Sequence, residues 1–123
     1  MQPKTVFEYI SDKFGVKNEK VFERYPDHAI FRHEQNAKWF CLLLKVEYKK
    51  LGLKKEGETF ILNLKCRPDL ASLLRDDERI FGAYHMNKKH WISVNLSSDI
   101  SDEAVFDLID ESYNLTKTAK SKS

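Results

Sequence analysis

The chain has 123 residues, of which 41% are hydrophobic and 12% aromatic, and its formal net charge is +2. This length and composition predict one domain with its own hydrophobic core. The apolar runs are too short to span a membrane, which takes about 20 residues, and the N-terminus lacks the pattern of a secretory signal. We therefore expect a cytoplasmic protein without a membrane partner.

The first half of the chain predicts a helix and three strands. An apolar stripe at i, i+3, i+4 spacing predicts an amphipathic helix over residues 4–14, and Gly15 suits its C-terminal cap. Residues 29–34 predict a first strand. The nearly continuous apolar run within residues 37–46 is typical of a central strand covered on both faces. Residues 60–66 alternate in polarity, which predicts a third strand with one face buried.

The second half predicts a short helix, a hairpin and a final helix. Pro68 suits the first position of the short helix, and residues 79–86 and 90–96 predict the two strands of the hairpin. Ser101 suits the N-cap of the final helix, and residues from about Thr116 onward predict a flexible polar tail. This order is typical of an α+β fold, with helices on one face of an antiparallel sheet.

The sequence contains no phosphate-loop or dinucleotide-binding motif, and neither thiol is marked as an activated partner of a histidine. The four glycines are scattered, there is no G-x-S-x-G, and Cys41 and Cys66 lack a C-x-x-C spacing, which predicts buried free thiols. His85 and His90 flank a predicted turn and could approach each other, but without a further ligand at a recognised spacing they are interpreted as structural or surface histidines. The acidic face of the final helix is interpreted as solvated, although ranked carboxylates can bind hard cations weakly. We therefore expect no cofactor and no enzymatic activity.

Residues 84–94 interleave aromatic rings with cations at the predicted hairpin tip. Such a pattern suits nucleic acid, because cations contact phosphates and rings stack on bases. It is equally typical of a solvated turn between buried strands. Strand alternation places Ile92 and Val94 toward the core. On the outward side it places Asn63, Lys65, Arg67, Trp91, Ser93 and Asn95.

Residues 85–92, His-Met-Asn-Lys-Lys-His-Trp-Ile, resemble the signature of the MmcQ/YjbR family of small bacterial proteins. Other matching pieces are Tyr25-Pro26, Lys38-Trp39-Phe40, Lys65-Cys66-Arg67-Pro68 and the segments Ser101-Asp102-Glu103 and Leu108 to Tyr113. The resemblance implies a CyaY-like two-layer α+β sandwich over residues 1–115, followed by a Lys-rich tail over 116–123. It also implies DNA binding through a double-wing arrangement of β-hairpins, and it implies no catalytic residues.

Two functional hypotheses follow from these residues. In the first, the protein is a non-enzymatic DNA-binding domain in which the two lysines of the signature contact phosphate and Asn87 contacts a base edge or phosphate. The residues assigned to this surface are Lys65, Arg67, Asn87, Lys88, Lys89 and Trp91. In the second, the same sheet face is a protein-interaction or small-ligand module, with Trp91 in a concave pocket. A continuous positive face over residues 45–55 and 87–89 would favour DNA, and a neutral aromatic cleft would favour the ligand.

Overall fold

The computed structural model describes residues 1–117, which form an α+β fold of three α-helices and one five-stranded antiparallel sheet. The elements in chain order are α1 (Pro3–Phe14), β1 (Ala29–Arg32), β2 (Trp39–Glu47), a 3-10 helix (Tyr48–Leu51), β3 (Glu58–Lys65), α2 (Pro68–Leu74), β4 (Ile80–Gly82), β5 (Trp91–Asn95) and α3 (Asp102–Thr116). The predicted fold class and order of α-helices and strands are confirmed. Thr116 ends α3 instead of starting a tail, and the rest of the predicted tail beyond residue 117 lies outside the described residues.

Both terminal helices pack on one face of the sheet, which has the strand order β1-β2-β3-β5-β4. The alternation predicted for β3 and β5 is confirmed, since Leu62, Leu64, Ile92 and Val94 lie in the core beneath the helices. Their helical partners in this core are Val6 and Ile10 of α1 and Val105 and Ile109 of α3. The side chains between them on each strand therefore point to the opposite face of the sheet, on which none of the three α-helices described in residues 1–117 packs.

The helix ends follow the local signals of the sequence. Gly15 adopts a φ of 69° after α1, and its N–H donates to the carbonyl of Ser11 at 2.9 Å. Pro68 opens α2, where its missing N–H costs no helical hydrogen bond. Ser101 accepts a hydrogen bond from the N–H of Ala104 at 3.1 Å and so caps α3.

A β-bulge in β2 decides where Trp39 points. Phe31 of β1 pairs with Cys41, whereas the next residue, Arg32, pairs with Trp39, so Phe40 is the additional residue. Phe40 and Cys41 both join the helix-side core, and Trp39 is left on the opposite face. The buried hydroxyl of Ser112 in α3 donates to the Phe40 carbonyl at 2.5 Å, which satisfies a carbonyl at the irregular position.

The hairpin differs from its predicted form. Strand β4 ends at Gly82 and β5 begins at Trp91, so residues 83–90 form a long connection, here called the β4–β5 loop. His85 has a left-handed φ of 60°, which is incompatible with a continued strand. Asn87 then closes a local turn, because its side-chain oxygen accepts from the N–H of Lys89 at 2.8 Å and its carbonyl from Trp91 at 2.9 Å.

Candidate ligand groove on the helix-free sheet face

The sheet face without helices, here called the open face, carries its own apolar cluster. Its buried members are Ile30, Leu42, Leu44, Val46 and Ile61, and the partly buried residues packed on them are Phe22, Trp39, Leu51, Tyr84, Met86 and Trp91. A solvated sheet face normally shows polar side chains. An apolar cluster of this extent therefore marks the open face as a candidate binding surface.

A groove of about 630 Å³ runs over this cluster and is here called the aromatic groove. Its floor includes Leu42, Leu44 and Val46 of β2, together with Asn63 of β3. One wall consists of Phe22, Tyr25, His28 and Trp39, and the other consists of Tyr84, His85 and Met86. Its volume lies in the range of small-molecule sites, about 300–1,000 Å³.

The rings of the first wall are held by contacts with each other. Tyr25 stacks on His28 with ring centroids 4.8 Å apart, and Phe22 meets Trp39 edge-on at 6.1 Å. The Nε2 atom of His28 lies 3.2 Å from the carbonyl oxygen of Lys45, which ties this loop to β2. Tyr25 is 56% exposed, so its ring is accessible to a ligand.

The second wall is fixed by a buried polar network beneath the β4–β5 loop. The amide of Asn63 donates to the carbonyl of Tyr84 at 2.8 Å, and the hydroxyl of Ser93 donates to the Asn63 side-chain oxygen at 2.5 Å. The N–H of Tyr84 in turn donates to the Ser93 hydroxyl at 2.8 Å. These bonds hold the backbone that carries Tyr84, so this wall is formed without a ligand.

The same network corrects one prediction. Asn63, Ser93 and Asn95 were expected on an exposed face, but all three are buried. They do point away from the helices, as predicted, yet the chain before β5 covers them: Asn95 donates to the carbonyl of Glu78 at 3.3 Å. Alternation along a strand gives the direction of a side chain, but it does not show which distant segment lies over it.

The three signature residues at the predicted tip lie on the β4–β5 loop, where all are exposed. Asn87 closes the turn described above. The Nζ atom of Lys88 donates to the carbonyl of Ala83 at 3.1 Å, and the Lys88 carbonyl accepts from the guanidinium of Arg75. Lys89 makes no side-chain ion pair among residues 1–117 and is open to solvent. Two of these three residues therefore stabilise the loop, and the third is available to a partner.

The other three predicted residues separate into a pair and a single residue. Lys65 and Trp91 are register partners on β3 and β5, and the Lys65 ammonium lies 5.5 Å from the centre of the Trp91 ring. Trp91 is half-buried on the open-face cluster, but it does not line the aromatic groove. Arg67 lies apart from this pair, because its Nε atom is 3.0 Å from the carboxylate of Glu111 on α3.

Comparison with known proteins identifies the family. The YjbR family model matches residues 11–115. The chain belongs to the YjbR family. It is 41% identical over 112 residues to YyaQ of Bacillus subtilis (strain 168), which covers 91% of this chain and 95% of that protein. It is 35% identical over 77 residues to YjbR of Escherichia coli (strain K12), which covers 61% of this chain and 65% of that protein.

Solved structures share the fold. The crystal structure of a Pseudomonas syringae protein, Northeast Structural Genomics Consortium target PsR293, superposes with a TM-score of 0.91 at 35% identity and covers 95% of this chain and 100% of that one. A Deinococcus radiodurans protein superposes with a TM-score of 0.72 at 23% identity, over 99% of this chain and 84% of that one. The predicted family and α+β fold are confirmed.

Two of the five lysines in the basic block of this YjbR-family chain, residues 45–55, form ion pairs within the described residues. Lys45 lies 3.6 Å from Asp27 and 3.8 Å from Glu58, and Lys49 lies 3.3 Å from Glu56. Lys50, Lys54 and Lys55 form no ion pair within residues 1–117, so the charge of this segment is only partly compensated.

The acidic face of α3 is also more structured than predicted. Asp110 accepts from the hydroxyl of Tyr9 at 2.7 Å and pairs with Lys13 at 2.6 Å, so it ties α3 to α1. Within residues 1–117, no three His, Cys, Asp or Glu side chains are grouped so as to hold a metal. In the same part of the chain, no helix has the length and apolar content that crossing a membrane requires.

Proposed function

We propose that this YjbR-family protein is a non-enzymatic, cytoplasmic binding protein that takes a small planar ligand in the aromatic groove. The observation that carries the proposal is the groove itself, a space of about 630 Å³ with rings on both walls. Most small-molecule sites are apolar clefts of this size with a few polar groups. A planar ligand would stack against the walls, and each aromatic contact is worth about 0.5–1.5 kcal/mol beyond the area it buries.

Two features support a preformed site. The Tyr25–His28 stack and the Phe22–Trp39 contact hold the first wall, and the buried network under Tyr84 holds the second. A site whose side chains are already placed loses less conformational entropy when a ligand binds. The aromatic walls of the groove are also what the ligand hypothesis predicts of the open face.

The test is a titration with N-phenyl-1-naphthylamine, a neutral planar probe that becomes fluorescent in apolar surroundings. We expect saturable binding to the wild type and a loss of about tenfold in affinity for Tyr25→Ala, equivalent to about 1.4 kcal/mol. Tyr25 is largely exposed, so the substitution leaves the core intact. Tyr48→Ala is the matched control, because Tyr48 lies outside the groove lining. Absence of saturable binding, or an equal effect of both substitutions, would refute the proposal.

DNA binding is a second candidate, and one observation favours it. Lys65 and Trp91 adjoin on the open face, and a ring beside a cation can stack on a base while the ammonium contacts phosphate. The exposed Lys89 on the β4–β5 loop would add a further phosphate contact.

The test of this candidate is a salt titration of DNA binding. The double variant Lys65→Ala/Lys89→Ala should reduce the slope of log K against log salt concentration by about 2, since each phosphate contact contributes nearly 1. The control is Lys4→Ala/Lys17→Ala, which removes two exposed lysines outside the residues assigned to DNA. If the wild type binds neither duplex nor single-stranded DNA in low salt, this candidate is rejected.

A further inference from the structure

Four charged residues, Lys45, Glu47, Lys50 and Glu58, contribute to the lining of the aromatic groove, but their side chains do not all point into it. Leu44 and Val46 of β2 form part of the floor, so the alternation of the strand directs Lys45 and Glu47 to the helix side of the sheet. The ammonium of Lys45 confirms this direction, because it lies 5.7 Å from the ring of Phe60, which packs against the helix-side core.

The same argument applies to Glu58, the second carboxylate in the groove lining, because its side chain also lies on the helix side. Glu58 pairs with Glu47 in the register between β2 and β3, and its carboxylate lies 3.8 Å from the Lys45 ammonium on the helix side. Asp27 approaches the same ammonium at 3.6 Å. The carboxylates of Glu47 and Glu58 therefore point away from the groove floor. Asp27 and Glu58 both approach the Lys45 ammonium on the helix side.

One ammonium remains at the groove. The 3-10 helix turns the chain after β2 so that Leu51 packs on the open-face cluster, and Lys50 lines the groove. Lys50 is exposed and belongs to none of the ion pairs within residues 1–117, whereas Lys45 and Lys49 are both paired. Besides Lys45, Glu47 and Glu58, whose side chains lie on the helix side, the other ionisable residues in the lining carry rings: Tyr25, His28, Tyr84 and His85.

We infer that the aromatic groove selects planar ligands that carry an anionic group, with the ring between the aromatic walls and the anion at Lys50. The inference rests on the proposed function and names its ligand class. A lone ammonium beside an apolar surface attracts an anion more strongly than it would in bulk water, since the lower dielectric strengthens the interaction. The Lys50 ammonium would repel a planar cation.

The test compares two probes with the same ring system. 1-Anilinonaphthalene-8-sulfonate carries a sulfonate, and N-phenyl-1-naphthylamine is neutral. For Lys50→Ala we expect sulfonate affinity to fall about fivefold and neutral-probe affinity to stay within twofold, a difference typical of one partly exposed charge. Lys54→Ala is the matched control, because this exposed lysine of the same segment does not line the groove. The difference between the probes should also shrink as salt is added.

The outcomes separate this inference from the proposed function. If Lys50→Ala weakens both probes equally or neither, the anion site is refuted while neutral binding that depends on Tyr25 still supports the groove. If neither probe binds saturably, the proposed function fails and the inference fails with it. Amide chemical shifts recorded with each probe must move at residues 50–51 and 84–86, since changes elsewhere would place the probes outside the groove.

Discussion

The Nζ atom of Lys88 lies 3.1 Å from the carbonyl oxygen of Ala83, and this hydrogen bond spans the β4–β5 loop. The stem of Lys88 covers Gly82 so closely that a Cβ atom there would lie 3.3 Å from the Lys88 Cδ atom. Lys89 follows directly but makes no comparable side-chain contact in the described chain. Two adjacent lysines of the family signature thus differ in role, because one holds the groove wall and the other faces solvent.

The two lysines should respond differently to substitution. Lys88→Ala should lower the free energy of unfolding by about 1 kcal/mol, because it removes a hydrogen bond and the packing of the stem. Lys89→Ala should stay within about 0.5 kcal/mol of the wild type, as is usual for exposed residues. Urea unfolding measures both, and Lys88→Met separates packing from charge. Equal effects of the two alanine variants would contradict this assignment.

Asn63 should be among the residues most sensitive to substitution. Asn63→Ala leaves the hydroxyl of Ser93 and the carbonyl of Tyr84 without their buried partner. We expect a loss of about 2–3 kcal/mol, since an unsatisfied buried polar group costs about 1–3 kcal/mol. Asn114→Ala, on the exposed face of α3, is the control and should be neutral. An Asn63 variant as stable as this control would show that the network does not support the loop.

Asp76 should make the free energy of unfolding depend on pH in the acidic range. Burial opposes its ionisation, but the N–H groups of Ile80, Glu78 and Arg79 donate to it and, with the Arg79 guanidinium, hold the pKa of Asp76 well below its usual range. A lowered pKa in the folded state gives stability that is present above about pH 4 and is lost as the pH falls below it. Asp76→Asn keeps an oxygen acceptor and removes the charge. It should be less stable than the wild type at pH 6, and the difference should shrink steadily as the pH falls from about 4 toward 2 in urea unfolding. A difference that does not depend on pH would contradict the role of the charge.

Local patterns in the sequence predicted most of the fold. The inward residues of β3 and β5, such as Leu62 and Val94, follow from a period of two that each strand carries by itself. The caps at Gly15 and Ser101 likewise depend on neighbouring residues only. Such features survive in the structure because no distant segment has to be known in order to predict them.

The groove could not be predicted in this way. Its walls come from residues as far apart in sequence as Phe22, Trp39 and Tyr84, and only the folded sheet brings them together. Trp39 reaches the open face because of a bulge that the continuous apolar run of β2 does not indicate. The aromatic residues Phe22 and Tyr25, in a segment without strand periodicity, were the available signal for a binding wall, but it was a weak one.

His33 should add a second pH dependence, near neutrality. Its ring is buried against Phe40 and Tyr113, and its Nε2 atom lies 2.8 Å from the hydroxyl of Thr116. Burial lowers the pKa of His33, and the nearby charges of Lys117 and Lys38 lower it further, against a raising contribution from a hydrogen bond to the Tyr113 backbone.

A pKa below the unfolded value of about 6.5 means that the unfolded chain binds more protons, so stability rises with pH in that window. Urea unfolding should therefore show that the wild type loses stability as the pH falls from 7.5 to 5.5. His33→Gln should flatten this dependence, because glutamine fills the site without titrating. His85→Gln removes an exposed ring and serves as the control. If His33→Gln keeps the full dependence of the wild type, the acid sensitivity must come from another group.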